Sequence, residues 1–172
     1  MNYLYRLWSR FLTGFGNVMV SFDEPRVNYG MVRILFSKVQ TGDILCRRYH
    51  SYLDSKFIKG KYTHSGVVVN REAMIHSIAE GVNWIDIGDF VLHTDGFILL
   101  RPKAIINLDR GLDFVKSCVG TPYDFLFKRN NKALYCHELS FEYLNKLSSV
   151  QEHSSIIYYE DLLKRCDVIY EA

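Results

Sequence analysis

Cysteine is sparse and scattered: Cys46, Cys118, Cys136 and Cys166 are widely spaced and form no C-x-x-C pair. Nothing in this spacing suggests a disulfide scaffold, so reduced thiols are expected. Charge of one sign is not concentrated either. The 21 Lys and Arg and 19 Asp and Glu are spread along the chain and leave a net charge of only +2. Without a like-charged block there is no electrostatic track for nucleic acid, and no such partner is expected. Long apolar runs are missing. Between Met1 and Val20 the apolar residues are interrupted by Arg6, Arg10, Asn17 and two glycines, and no A-x-A-like cleavage site follows. A cleaved signal peptide is therefore disfavoured, which together with the reduced thiols favours a cytoplasmic location. Internal repeats and low-complexity segments are absent as well.

What is present suffices for a folded domain. At 172 residues, 48% hydrophobic and 15% aromatic, the chain can bury one core without a structural metal. The main domain is expected over 31–172, preceded by an N-terminal helix and loop over 1–30. In that first segment Tyr3, Leu4, Leu7, Trp8, Phe11 and Leu12 recur at helical spacing, with Arg6, Ser9 and Arg10 largely opposite. Such an amphipathic helix either packs on the domain or makes a peripheral membrane contact through residues 1–16, with Trp8 at the interface. The sequence does not separate the two, and it leaves the oligomeric state open.

The middle of the chain reads as an antiparallel sheet. Gly42 to Arg47 is a strand entered from a turn, His64 to Val69 has the β-branched pattern of a buried strand, and Ala73 to Ile78 follows as its hairpin partner. Gly81 to Ile87 and Gly96 to Arg101 are further strands, with a helical turn over Gly88 to Leu92. Two helices come next. Asn107 to Val119 has Asp109 near a start suited to capping, and Ala133 to Leu147 places Cys136 near its N-terminus. The tail after Ser148 is expected to end in a helix and a strand. The fold class is α+β, an antiparallel sheet packed against helices.

Cys136 by itself is most simply a small buried hydrophobe. Its position changes the reading: a helix N-terminus presents unpaired N–H groups that stabilise a thiolate and lower its pKa. A thiol nucleophile also needs a base and an orienting partner for that base. His64 and His76 stand on consecutive strands joined by a tight turn, so pairing can bring them to neighbouring positions on one face. Each histidine also has the plainer reading of a core hydrogen-bonding group. These three side chains are zinc-ligand types, but their spacing matches no compact ligand motif, and no metal or cofactor is expected.

The order Thr41-Gly-Asp-Ile-Leu45, His64-Ser-Gly-Val67, Gly81-Val82, Leu99-Leu-Arg-Pro102, Gly120-Thr-Pro-Tyr-Asp124 and Tyr135-Cys-His-Glu-Leu139 resembles the circularly permuted, YiiX-like branch of the NlpC-like papain-fold superfamily. The resemblance covers roughly Val39 to Leu147. It implies a permuted papain-like fold and a cysteine hydrolase acting on an amide through an acyl-thioester. Cys136 would be the nucleophile and His64 the general base, with the third polar position on His76 or, less simply, Glu80. A histidine in third place is similar to the lecithin:retinol acyltransferase-like relatives, which act on lipid esters and amides. The implied substrate is thus a peptidoglycan-type peptide, an acylated small molecule or a lipid. His137 stands where a serine commonly follows the nucleophile. Backbone N–H groups at the helix start would serve as an oxyanion hole, with Tyr123 or Tyr135 as added hydroxyl donors or simply packed aromatics. A catalytically silent binding module with the same fold is the alternative from another class.

Overall fold

The β-branched and apolar runs of the middle of the chain pair into one sheet. The computed structural model describes Phe11 and residues 26–49, 60–128, 132–148 and 156–172. The amphipathic helix expected in 1–30 lies, Phe11 apart, outside these residues. Helix α1 (Tyr29–Lys38) is followed by β1 (Ile44–Arg48), β2 (His64–Val68), β3 (Ala73–Ile78) and β4 (Gly81–Asp86). The short α2 (Ile87–Val91) leads into β5 (Gly96–Pro102), and α3 (Leu108–Ser117), α4 (Cys136–Leu147), α5 (Tyr159–Lys164) and β6 (Cys166–Glu171) complete the chain. The strand order is β4-β3-β2-β1-β5-β6, and every neighbouring pair is antiparallel.

Strand alternation divides the core into two layers. On one face Ile44, Cys46, Val67, Ile75, Ile98 and Leu100 pack against Leu112 and Val115 of α3 and Leu139 and Leu144 of α4. On the other, Leu45, Val68, Met74, Phe97 and Leu99 pack against Leu35 of α1 and Ile87, Phe90 and Val91 of α2. Each fully buried aliphatic side chain here contributes about 1.5–3 kcal/mol of transfer free energy. The sheet is therefore covered on both sides.

Local chemistry fixes the element boundaries. Helix α1 spans the boundary expected at 30/31, starting at Tyr29 with the Asn28 side chain accepting the Met31 N–H. Helix α3 is capped by Asn107, whose side chain accepts the Arg110 N–H at 2.9 Å. Asp109 stands instead in the first turn, where its charge suits the helix dipole. Asp43 closes the turn before β1, accepting the Gln40 N–H at 2.8 Å. It also accepts both nitrogens of a bidentate Arg101, at 2.8 and 2.9 Å. The Tyr143 hydroxyl donates to the Gly42 carbonyl at 2.8 Å, tying α4 to the entrance of β1. Gly81, with φ +111°, opens β4 beside the Thr121 carbonyl; a Cβ there would lie 2.6 Å from that oxygen.

Candidate active site

Two strands supply histidines to one face of the sheet. Gly66 of β2 pairs with His76 of β3, and His64, two residues before Gly66, projects to the same face as His76. Diagonal neighbours of this kind have backbones ~7–8 Å apart, within reach of two long side chains. Gly66 keeps the space between them open: a Cβ there would lie 3.0 Å from the Cβ of His76 and 2.8 Å from the Ile75 carbonyl oxygen. The rings consequently meet, with Nε2 of His64 3.0 Å from Nδ1 of His76.

An aromatic ring and a cation enclose this pair. Phe90 of α2 stacks on His64 at 5.5 Å and 29° and presents its ring edge-on to His76 at 5.8 Å. Arg47 of β1 pairs directly with His64 across the β1–β2 ladder. Its guanidinium lies 4.3 Å over the Phe90 ring, and its Nη1 donates to the Phe90 carbonyl at 2.7 Å. Burial, and after it the positive charge of Arg47, holds the His64 imidazole well below its usual 6.5 and brings His76 down to about 4. Both rings are neutral at physiological pH.

The thiol comes from the other side. Cys136 is the first residue of α4, and the N-cap residue Tyr135 makes no side-chain capping bond. The N–H groups of Cys136 and His137 are thus left to the sulfur, and with the Ser65 N–H they favour the thiolate. Burial outweighs them. Cys136 is only 2% exposed, and desolvation pushes its thiol up to about 11; the lowering expected from a helix N-terminus is overridden. Sγ donates to the Thr63 carbonyl at 3.8 Å, the peptide immediately before His64, rather than to the imidazole. Cys136 and the histidines therefore approach from opposite faces and converge on the N-terminal end of β2.

A buried polar network locks α4 to that strand. Ser65 projects away from the histidine pair, and its hydroxyl meets Nδ1 of His137 at 2.8 Å and the Ser140 hydroxyl at 2.9 Å. Ser140 donates in turn to the Cys136 carbonyl at 3.3 Å. Burial brings His137 down to about 4, against the Tyr62 carbonyl, which favours its charged form. His137, where a serine is the commoner residue, thus supplies a strand-to-helix hydrogen bond. Ser77 ties down the segment leading into α4 by donating to the Leu134 carbonyl at 2.6 Å.

The remaining sequence candidates fall elsewhere. Glu80 lies exposed in the β3–β4 turn, four residues beyond His76, about 13 Å along an extended strand; the fold does not bring it to the histidine pair. Tyr135 is buried, and its hydroxyl accepts the Ile157 N–H at 2.6 Å. Tyr123 is half-buried with its ring edge-on to Phe125 at 4.9 Å. Sequence reasoning did not single out Arg47, Phe90 or Ser65. Arg47 closes the strand expected from Gly42, and only the β1–β2 register reveals that it faces His64.

Comparison with known proteins places this geometry. Residues 38–168 match a family profile described as permuted papain-like amidase enzyme, YaeF/YiiX, C92 family. The chain belongs to this family. The C92 match supports a cysteine-type amide hydrolase in general terms, and the permuted papain-like fold expected from the motif order is the one observed. The crystal structure of the metalloprotein yiiX from Escherichia coli O157:H7 superposes with a TM-score of 0.67 at 15% identity, covering 78% of this chain and 98% of that one. No curated protein matches the chain. That solved structure carries the word metalloprotein in its title. Among the described residues here, no three or more His, Cys, Asp or Glu side chains are grouped to hold a metal ion, and His64 and His76 spend facing nitrogens on each other. The described residues do not fit a metal centre.

Proposed function

We propose that this C92-family protein is a cysteine-dependent hydrolase that cleaves an amide bond through an acyl-thioester, with Cys136 as nucleophile, His64 as general base and His76 as the orienter of that base. The observation that carries this reading is the 3.0 Å contact between His64 Nε2 and His76 Nδ1, with Cys136 Sγ on the peptide next to His64. When His64 Nε2–H donates to His76 Nδ1, the lone pair of His64 Nδ1 is left for the thiol proton.

The resting site holds a neutral thiol and a neutral imidazole. His64 takes the Cys136 proton as sulfur attacks the carbonyl carbon, then delivers it to the leaving amine. The N–H groups of Cys136 and His137 at the start of α4 suit the oxyanion that forms between these steps. Water attacks the thioester with His64 again as base. The scissile amide belongs to a peptidoglycan-type peptide or an acylated small molecule.

A second reading, a lipid-directed thiol acyl hydrolase or acyltransferase, is favoured by the histidine at position 76. Both readings share the thioester, so its capture is the first test. Brief incubation with activated peptide and lipid esters, acid quenching and mass spectrometry should place an acyl group on Cys136 in the native protein and not in His64→Ala. An acyl group found on no cysteine would leave the catalytically silent binding module as the better description.

A further inference from the structure

Arg47 and Phe90 lie outside the Cys136, His64 and His76 set, yet a chain of contacts links them to its histidines. Arg47 is the direct cross-strand partner of His64. Its guanidinium holds Phe90 twice, through the ring face at 4.3 Å and through the backbone carbonyl at 2.7 Å. Phe90 then holds both imidazoles, one by stacking and one by its edge. The element carrying Phe90 is only five residues long. Its N-terminus is fixed by the Asp86 side chain, which accepts the Gly88 N–H at 2.6 Å, and its other end by Arg47.

We infer that Arg47 and Phe90 are positioning residues that clamp the histidine pair, Phe90 setting the plane of the His64 ring and Arg47 holding Phe90 in place from the neighbouring strand with a fixed positive charge. This rests on the reading of His64 as the base of Cys136. The charge matters because a base must be neutral to accept a proton. The groups acting on His64 are Arg47 from β1, His76 from β3 and His137 from α4. Those of α2, Asp86 and Asp89, are exposed. Among the described residues, none of the charges acting on His64 or His76 is a carboxylate, and Arg47 acts on both. Arg47 also favours the Cys136 thiolate, so one cation adds to the burial that keeps the base neutral and acts in favour of the anion that remains.

The two parts of the clamp separate by substitution. Arg47→Met retains bulk over Phe90 but removes the charge, Arg47→Lys retains the charge but loses the planar stacking fork, and Phe90→Leu retains apolar volume but loses the ring face. Histidine ring resonances followed by NMR against pH report protonation without any substrate, and the alkylation rate of Cys136 reports the dyad. Arg47→Met should move the His64 and His76 titrations up by about one pH unit, and Arg47→Lys should restore them. Phe90→Leu should leave the titrations near their native positions and slow alkylation at all pH values by about tenfold or more. Native titrations and native alkylation rates in both Arg47→Met and Phe90→Leu, with His64→Ala still slowing alkylation, would overturn the clamp alone. If His64→Ala itself leaves Cys136 alkylation unchanged, the base assignment fails and the clamp's part in catalysis fails with it.

Discussion

Nε2 of His64 faces Nδ1 of His76 at 3.0 Å, and that contact can hold only one proton while both rings are neutral. If His64 is the donor, its Nδ1 is fixed as an acceptor; without a partner at position 76 its tautomer is free. His76→Ala is therefore expected to lower acyl-thioester formation by about tenfold to a hundredfold, less than the 10²–10⁴-fold expected for His64→Ala. His76→Asn, whose carbonyl can still accept from Nε2–H, should fall between His76→Ala and the native protein. Single-turnover kinetics rank the three, and an Asn variant no better than Ala would remove the tautomer argument.

The electrostatics of Cys136 give a second expectation. A preformed thiolate–imidazolium pair would make alkylation nearly independent of pH across the neutral range. Here burial lifts the thiol to about 11 and depresses His64, so the free protein should carry little thiolate at neutral pH. In His64→Ala, where no base assists the thiol, iodoacetamide labelling of Cys136 should accelerate about tenfold per pH unit between about pH 6 and 9. A plateau across that range in this variant would show that the thiolate forms at neutral pH without the histidine.

Three buried histidines also make folding depend on pH. His76 and His137 titrate near 4 in the folded protein, and His64 is depressed as well, whereas in the unfolded chain they bind protons near 6.5. Between these values the unfolded state holds more protons, so stability falls as pH drops from about 6.5 to about 4, by up to about 3 kcal/mol for each of His76 and His137. Above about 6.5 neither state is protonated at these rings and they contribute no slope. Urea denaturation at intervals across this window measures the loss, and His137→Ser should flatten it.

The strands were legible because alternation and β-branching are local properties: β3 was expected over Ala73 to Ile78 and occupies those residues. The start of α4 was less legible, since Ala133, Leu134 and Tyr135 fit a helical pattern while their backbone is tied to Pro122 and to Ser77. His64 and His76 could be placed on one face from their hairpin. Arg47 could not, because its role depends on β1 lying between β2 and β5, a non-local pairing. The thiol pKa was misjudged for a similar reason: the helix N-terminus is visible in sequence, but the burial that outweighs it is a property of the whole fold.

Gly66 tests how tightly the histidine pair is built. A methyl group there would meet the Ile75 backbone oxygen at 2.8 Å and the His76 Cβ at 3.0 Å, and a backbone atom cannot rotate aside as a side chain can. Gly66→Ala should cost about 1–3 kcal/mol of stability through overpacking. It should also slow Cys136 acylation beyond what partial unfolding explains, because the atom displaced is the root of His76. Comparing the folded fraction with the acylation rate at the same temperature separates the two effects.

Tyr135 can be assigned by one oxygen. Its hydroxyl accepts the buried Ile157 N–H at 2.6 Å, and Tyr135→Phe leaves that N–H without its acceptor at a cost of about 1–3 kcal/mol. The same oxygen is one of the candidates for stabilising the oxyanion, and a lost oxyanion donor acts on the rate of acylation rather than on folding, typically by 10²–10³-fold. The position of the hydroxyl, directed at the segment that leads into α5 rather than at the sulfur, favours the structural assignment. Urea midpoints and single-turnover acylation of Tyr135→Phe should therefore show a stability loss that exceeds, in free energy, any loss in rate; the reverse ordering would return Tyr135 to the active site.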